Sequence, residues 1–589
     1  MKTIIFAAIL LLLLVPAVSA QKNHLKLLAV SEQPDGTFTG AVADLFVEIR
    51  PGTGRVFMDT FPLSKLDTQI STRFAKEIAC EVSTKDCSQL DFFYTIRSTS
   101  VVITGPSAGA ALATLTIATL EDLPVNDKVS ITGTINSGGL IGPVSGVKEK
   151  IQAGAQVGLD TILIPYGEGF GESNDSINLT EFGNKLKVRV IEVLELEDAV
   201  YYVTGKRLPT PPTNFSIDPD YTQKMSSVAQ SLCNRAENLA VHAASIVKNR
   251  TALQAISNLS NHGKSAYGQK QYYAAASFCF GASVRYNTLI LQSSNLSDDE
   301  IVRQIAILKV QVQQKKTQIP SYSTITDLET YALVLERIIE SEQSLNESLR
   351  ELAQDDRNSA LRDLAFARER LLSADSWSVF FGSDGKKVTI SKEGLENACV
   401  NKIAEAEERL QYVQLFIPNS LQATRAGLNR AYSNLREKRF DICLFTASRA
   451  KAEADSVLSA LGISYAKLGS VLDQKQKSVK IAIAKQAAKG NFPIAGYSYY
   501  EYANSLREVD PASALLFYEY ALELSDLDIY FKEESKIPIA ANPKRAISSS
   551  ALILFVGGVA LGLALGLLIR PRKKGLATHK HAYRHARKR

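Results

Sequence analysis

The stretch VVITGPSAGAALA, residues 101–113, decides the fold of the N-terminal part of this chain. The β-branched run at 101–104 predicts a strand, and the small residues that begin at Gly109 predict a helix. A Gly-Pro pair marks the turn between them. Ser107 would then lie at a helix N-terminus, where backbone N–H groups and the helix dipole stabilise negative charge. This arrangement suits a nucleophilic serine, with an oxyanion site at Ala108 and Gly109.

A serine hydroxyl needs a base to become a nucleophile. The predicted α/β part holds one histidine, His24, near its start, so a Ser-His-Asp triad or a Cys-His pair is not expected there. Lys148 follows a glycine-rich turn at the start of another predicted helix. A free lysine, with a pKa of ~10.4, is charged at pH 7, and burial against apolar neighbours favours the neutral amine. We expect such neighbours around Lys148 and assign it as the base, with Lys150 facing solvent.

Four motifs occur in an order and spacing that resemble the proteolytic domain of Lon proteases: GPSAG at 105–109, ITG at 131–133, GVKEK at 146–150 and TILIP at 161–165. The resemblance covers roughly residues 25–205. It implies that the serine of GPSAG, Ser107, is the nucleophile and that the first lysine of GVKEK, Lys148, is its base. Thr132 matches a family threonine and is expected to orient the lysine.

The chain departs from that family in several places. Lon proteases carry an ATPase module, but the sequence has no G-x-x-x-x-G-K-[ST] loop and no CxxC zinc pattern, so neither a cofactor nor a metal is expected. Thr104 stands where the family often has an acid, and Thr134 where it often has Glu. These changes bear on regulation rather than on the Ser-Lys pair. For Ser107 two alternatives stay open, a purely structural turn and a phosphate-binding loop.

Both ends of the chain predict a membrane protein. Residues 1–20 combine a lysine, an apolar run and a small-x-small site, which predicts a secretory signal cut after Ala20, with an uncleaved signal anchor as the alternative. Residues 546–569 are uncharged and long enough to span ~30 Å of hydrocarbon. The basic tail at 570–589 is expected in the cytoplasm, so the chain would be a single-pass protein of the cell membrane with its body outside.

The positive net charge belongs to the tail. The whole chain carries +6, but residues 546–589 contribute nine Lys/Arg without an acid and the signal contributes one lysine, which leaves −4 for the predicted body. Anionic lipid headgroups account for the tail, and no nucleic acid is expected as a partner.

The cysteines and sequons agree with an exported body. Seven N-x-S/T sequons begin at Asn174, Asn178, Asn214, Asn249, Asn258, Asn295 and Asn346. Six cysteines permit three disulfides in an oxidising compartment: Cys80, Cys87, Cys233, Cys279, Cys399 and Cys443. Six cysteines allow 15 pairings. We favour pairing between sequence neighbours, above all Cys80–Cys87, because its loop is short.

The character of the sequence changes near residue 210. Before it, strands are predicted over 40–49, 54–61, 92–96, 101–104, 161–165 and 186–193, a helix over 66–82, and a strand or hairpin over 129–140. After it, helical periodicity prevails and strands are not expected. Three stretches there, 268–278, 434–450 and 505–521, resemble one another as helical hairpins of the tetratricopeptide type.

These patterns predict the following organisation: a signal peptide (1–20), a Lon-like α/β proteolytic domain (21–206), a Pro-rich linker (207–218), a large all-helical domain (219–530), a juxtamembrane linker (531–545), a transmembrane helix (546–569) and a basic cytoplasmic tail (570–589). This layout resembles that of membrane-anchored Lon-like proteases of archaea, without the ATPase module.

The expected function is an ATP-independent serine endopeptidase that hydrolyses exported or surface proteins through a Ser-Lys dyad. The alternative is a non-catalytic surface scaffold that retains a Lon-like fold. Protein or peptide substrates and the lipid bilayer are the expected partners. Self-association is open, either through the proteolytic domain or through a face of Gly558, Gly562 and Gly566 in the anchor, since that spacing lets two helices approach closely.

Overall fold

The computed structural model describes residues 21–525 except for 33–37, 62, 84, 99–104, 170–177, 210, 384 and 386–389. The described residues belong to one compact unit. Several predicted segments lie outside them: the signal at 1–20, the predicted strand at 101–104, and the predicted juxtamembrane linker, anchor and tail from 531 onward. Among the helices within those described ranges, none combines the length and the apolar character needed to cross a bilayer.

A seven-stranded sheet forms the middle layer of the N-terminal part. Its strands are β1 (Gln21–Glu32), β2 (Phe38–Pro51), β3 (Val56–Phe61), β4 (Leu90–Ser98), β5 (Val129–Ile131), β8 (Thr161–Pro165) and β9 (Arg189–Val193). They lie in the order β3-β4-β2-β1-β5-β8-β9. β2 is antiparallel to β1 and β4, whereas the other neighbours run parallel. β6 (Thr134–Asn136) and β7 (Leu140–Gly142) form a separate hairpin around the 3₁₀ turn Ser137–Gly139.

Helices cover both faces of this sheet: α1 (Leu66–Val82), α2 (Gly109–Leu120), α3 (Val147–Gln156), α4 (Leu179–Lys185) and α5 (Leu196–Thr204). Helices α1, α2 and α5 share a hydrophobic core with Leu25 and Leu45. Helices α3 and α4 pack on the other face around Leu28 and Ile162. Helix α2 is buried at every position, as expected for a helix that is apolar all round. The predicted α/β class is therefore confirmed.

The predicted elements recur with small shifts. The helix predicted over 66–82 is observed with those bounds. The strands predicted over 40–49, 54–61, 92–96, 161–165 and 186–193 correspond to β2, β3, β4, β8 and β9. The segment 129–140 divides into β5 and most of the β6–β7 hairpin. Strand β1 was not predicted, although it lies between β2 and β5.

Among the described residues from Pro219 onward, every regular element is a helix. The elements are α6 (Pro219–Ile246), α7 (Arg250–Gly268), α8 (Tyr272–Ser293), α9 (Asp298–Gln318), α10 (Ile325–Ala353), α11 (Arg357–Trp377), α12 (Lys392–Phe416), α13 (Gln422–Arg436), α14 (Phe440–Ala460), α15 (Leu468–Ala488), α16 (Ile494–Leu506) and α17 (Pro511–Ser525), with short 3₁₀ turns at Ser378–Phe380 and Tyr465–Lys467. The predicted all-helical region is therefore observed.

The three mutually similar stretches each fall on a helical hairpin. They lie on α7–α8, α13–α14 and α16–α17, whose two helices are joined by a short turn. In the first two hairpins a lysine in the turn adopts a positive φ, 61° for Lys270 and 60° for Lys438. The hairpins are thus confirmed, whereas the tetratricopeptide class is not and stays a prediction.

All six cysteines form disulfides with their sequence neighbours. The pairs are Cys80–Cys87, Cys233–Cys279 and Cys399–Cys443, with Cα–Cα distances of 6.0, 4.8 and 5.6 Å. The first closes a short loop after α1, and the other two tie α6 to α8 and α12 to α14. The predicted neighbour pairing is confirmed.

Candidate active site

Ser107 lies in a tight turn two residues before α2, and its side chain is half-buried. Gly105 opens the turn with a φ of +97°, which glycine adopts without the steric cost that other residues meet. The Gly109 N–H closes the turn by donating to the Pro106 carbonyl at 3.0 Å. The Gly109 N–H therefore points at the chain itself, which contradicts its predicted oxyanion role. The oxyanion role of Ala108, the N-cap of α2, stays a prediction.

Helix α1 holds the opposite side of this turn. The Gly105 N–H donates to Asp67 Oδ2 at 2.8 Å. Thr68 Oγ1 donates to the Gly105 carbonyl at 3.4 Å, and Ser71 Oγ donates to the Pro106 carbonyl at 3.3 Å. The sequence analysis missed these three residues of α1. The available signal was the polar character of positions 68 and 71, which lie on the buried face of the helix.

The segment after β5 holds the backbone of Ser107 itself. The Gly133 N–H donates to the Ser107 carbonyl at 2.9 Å, and the Ala110 N–H donates back to the Gly133 carbonyl at 3.0 Å. The buried Thr132 hydroxyl also donates to the Ser107 carbonyl, at 3.4 Å. Thr132 thus contacts Ser107, whereas its predicted role of orienting a lysine stays a prediction.

The two lysines of GVKEK occupy different environments on α3. Lys150 is 1% exposed. Lys148 is half-buried, and its Nζ lies 6.0 Å from the centroid of the Phe182 ring on α4. The expectation that Lys150 faces solvent is therefore wrong, and the burial expected around Lys148 is found around Lys150 instead.

Helical phase explains this reversal. Val147, Lys150, Ile151 and Gly154 are spaced i, i+3, i+4 and i+7, so they share one face, and all four are buried. Val147 and Ile151 on that face join the apolar core beneath α3. Lys148 lies one position after Val147 and projects from the side of the helix.

Two other candidate bases lie away from the turn. His24 Nε2 pairs with Asp44 Oδ1 at 2.8 Å. Leu27 is in register with Ile131, so His24 sits five residues, or roughly 16 Å, along the sheet from the level of Gly133. Burial lowers the pKa of Lys76. Its Nζ lies over the Phe92 ring near the start of β4, whereas the turn that holds Ser107 follows the other end of that strand.

Comparison with known proteins finds a family match in this part of the chain. Residues 67–196 match the Lon protease (S16) C-terminal proteolytic domain. The Archaeal Lon protease of Thermoplasma acidophilum is 27% identical over 170 residues, which are 28% of this chain and 24% of that protein. The Archaeal Lon protease of Archaeoglobus fulgidus is 26% identical over 175 residues, 28% of this chain and 26% of that protein. The Lon protease of Buchnera aphidicola is 47% identical over 62 residues, 10% of this chain and 8% of that protein.

The chain spans about a quarter of the length of the archaeal relatives that it matches. The matched segment begins on α1, the helix that bonds to the turn around Ser107, and ends at the start of α5. It therefore contains Ser107, Thr132 and both lysines of α3. The match of residues 67–196 to the Lon protease (S16) C-terminal proteolytic domain, together with the archaeal Lon relatives, supports a serine-type peptidase.

Proposed function

We propose that the chain is an ATP-independent, membrane-anchored serine endopeptidase that hydrolyses exported or surface proteins. One observation carries the proposal. Within a domain of the Lon proteolytic family, Ser107 lies at the N-terminus of a fully buried helix, and the lysine motif of that domain supplies a buried amine. Helix termini favour negative charge, and buried amines favour the neutral form, so both features suit acyl transfer.

Lys150 is the base that we propose, while Lys148, the base implied by the resemblance, stays a prediction that the catalytic test below decides. A lysine accepts a proton from serine only when it is neutral, and removal from water favours that state. The side chain of Lys150 is almost fully buried, whereas Lys148 keeps contact with solvent. Burial thus favours the second lysine of GVKEK, whereas the resemblance favours the first.

The proposed reaction begins when the Ser107 hydroxyl gives its proton to the Lys150 amine and the oxygen attacks a peptide carbonyl. The oxyanion that forms binds the Ala108 N–H at the start of α2. The lysine ammonium then protonates the leaving amine, which leaves an acyl-enzyme. Water, deprotonated by the same amine, releases the acyl group and restores Ser107. Thr132 and Gly133 hold the Ser107 carbonyl throughout and so fix the direction of its side chain.

The location outside the cytoplasm is part of the proposal. It is supported by the three neighbour disulfides, which persist in oxidising compartments. A membrane-impermeant amine reagent should label the body of the chain on intact cells. Labelling that requires cell lysis would place the body inside and contradict the proposed topology.

The catalytic test compares single variants of the full-length chain in detergent, without ATP. Hydrolysis of fluorescently labelled casein and covalent labelling by a fluorophosphonate are measured for Ser107→Ala, Lys150→Met and Lys148→Met. We expect Ser107→Ala to abolish both signals. Lys150→Met should reduce both by about 10²- to 10⁴-fold, the usual worth of a general base. Lys148→Met is the matched control on the same helix and should stay near wild type.

Each other outcome has a meaning. Loss of activity in Lys148→Met alone would return the role of base to Lys148. Hydrolysis that survives Ser107→Ala would remove the catalytic assignment. A folded wild-type chain that neither hydrolyses casein nor reacts with the fluorophosphonate would favour the non-catalytic scaffold.

A further inference from the structure

The turn Ser137–Gly139, between β6 and β7, is held by two helices near the end of the described chain. Lys475 Nζ on α15 donates to the Ser137 carbonyl at 2.6 Å and to its hydroxyl at 2.7 Å. The Ser137 hydroxyl donates to Glu519 Oε2 on α17 at 2.7 Å. Gln474 Nε2 and Ser478 Oγ both donate to the Gly138 carbonyl, at 2.7 and 3.0 Å. The contacts therefore involve both the backbone and the side chain of the turn.

The ion pair within this contact is fully buried. Lys475 Nζ and Glu519 Oε1 lie 2.7 Å apart, and both side chains are 0% exposed. Ser459 Oγ donates to the same carboxylate at 2.9 Å. A buried ion pair is tolerated only when further hydrogen bonds satisfy its remaining donors and acceptors. Ser137 supplies two acceptors to the lysine and one donor to the carboxylate, so the turn completes the pair.

Close packing also fixes the turn against α15. Gly138 has a φ of +67°, and a Cβ atom built on it would lie 2.8 Å from Cβ and Oγ of Ser478. Real Cβ atoms essentially never approach so closely, so the side chain of Ser478 leaves room only for glycine at this position. The contact has little room for rearrangement.

The same turn continues the segment that holds the nucleophile. Ser137 follows Gly133, which bonds to the Ser107 carbonyl, by four residues, a span of roughly 13 Å in extended chain. Between them, Ile135 packs against the start of α2, since a Cβ built on Gly109 would lie 3.0 Å from the Ile135 nitrogen. A displacement of the turn would therefore be transmitted through β6 to the backbone around Ser107.

A second contact reaches the nucleophile turn from its other side. Arg409 on α12 pairs with Glu77 of α1 at 3.0 Å, and Arg73 of α1 pairs with Glu408 of α12 at 3.1 Å. Helix α1 is the element whose Asp67 holds the Gly105 N–H. The helical region thus bonds to both segments that flank Ser107.

We infer that the helical region is a working part of the peptidase site, in which Lys475 and Glu519 are positioning residues that hold Ser107 through the turn Ser137–Gly139. The inference rests on the proposed peptidase function, and it goes beyond it by assigning a role to helices outside residues 67–196. It makes the activity of the α/β part dependent on α15 and α17.

The test uses full-length variants in detergent and measures kcat, KM and the rate of fluorophosphonate labelling of Ser107. The main variant is Lys475→Met/Glu519→Met, because replacing both members of a buried ion pair with apolar residues is often neutral for folding. Ser137→Ala, which removes a single hydroxyl, is a milder second variant. Lys477→Met is the matched control, since Lys477 lies on the same helix but pairs with the half-buried Glu195.

We expect the double variant to lose kcat and labelling rate by on the order of 10- to 100-fold, with KM within about twofold, because a shift of about 1 Å at a reacting group has effects of that size. Ser137→Ala should show a smaller loss of the same kind, and Lys477→Met none. If the double variant melts below the assay temperature, Ser137→Ala decides. Wild-type labelling in a folded variant that lacks the contact overturns the inference, and an unreactive wild-type chain overturns the proposed function along with it.

Discussion

A close approach between the sheet and α3, at Gly40, offers a sharp test of how the lysine helix is positioned. Gly40 on β2 lies under α3, and a Cβ atom built on it would be 2.1 Å from the Glu149 carbonyl oxygen and 2.7 Å from Ala153 Cβ. Ordinary contact distances begin near ~3.5 Å, so Gly40→Ala must separate strand and helix by about 1.4 Å. The atom in the way is backbone, and it belongs to the residue before Lys150. The substitution therefore displaces the proposed base.

We expect Gly40→Ala to lower kcat by about 100-fold, the effect of a displacement of about 1 Å at a reacting group, and to cost about 1–3 kcal/mol of folding free energy through overpacking. Casein hydrolysis and Ser107 labelling measure the loss of kcat, and urea unfolding measures the loss of folding free energy. Gly268→Ala is the matched control, because Gly268 ends α7 and a Cβ there meets nothing within 4 Å. A folded Gly40→Ala variant with wild-type kcat would show that the position of α3 does not govern the chemistry.

Two further predictions concern the helical region. The buried Glu501 accepts bonds from the Tyr273 and Ala274 N–H groups, and burial raises its pKa to about 7. This folded-state pKa exceeds the ordinary glutamic acid value of 4.5, so between about pH 4.5 and 7 the folded chain keeps a proton that the unfolded chain has lost, and Glu501 lowers stability as pH rises through that range. Glu501→Gln should flatten that part of the pH profile of urea unfolding, and an unchanged slope would contradict it. Replacing Cys399 and Cys443 together by Ala opens a disulfide that links residues 44 apart in sequence, and it should lower the free energy of unfolding by about 2–5 kcal/mol. The loss should appear as a lower midpoint of urea unfolding. An unchanged midpoint under oxidising conditions would contradict the pairing.

The choice between the two lysines shows what the sequence already contained. The turn around Ser107 was predictable because Gly, Pro and small residues have direct conformational meaning. The environments of the two lysines were mispredicted because Lys148 was judged by its nearest neighbours in sequence rather than by helical phase. Counting from Val147 by three, four and seven places Lys150 on the apolar stripe, so its burial could be predicted without a structure.

Strand β1 and the polar residues of α1 were harder to predict. Leu25 and Leu27 face one core and Leu28 the other, so a strand buried on both sides lacks simple alternation. Thr68 and Ser71 are polar residues in a buried position, and their purpose depends on a turn that arrives more than thirty residues later. Propensity and periodicity carry no information about such partners.

The contacts of Ser137 were beyond any local pattern, since Lys475 is 338 residues away in sequence. From sequence alone, a lysine in a helix is expected to be solvated, because lysine is almost never fully buried without a partner. The sequence could therefore predict two adjacent regions of different class, but not that one of them completes the other.

The distance in sequence between Ser137 and Lys475 also has a meaning in time. A ribosome adds about 5–20 residues per second, so the turn emerges roughly 20 to 70 s before the lysine that holds it. During that interval the whole proteolytic domain has been synthesised, yet the buried ion pair cannot exist. The order of the two regions along the chain thus delays completion of the surroundings of Ser107 until the last described helices are made, so the proposed peptidase site stays incomplete while the chain is being synthesised.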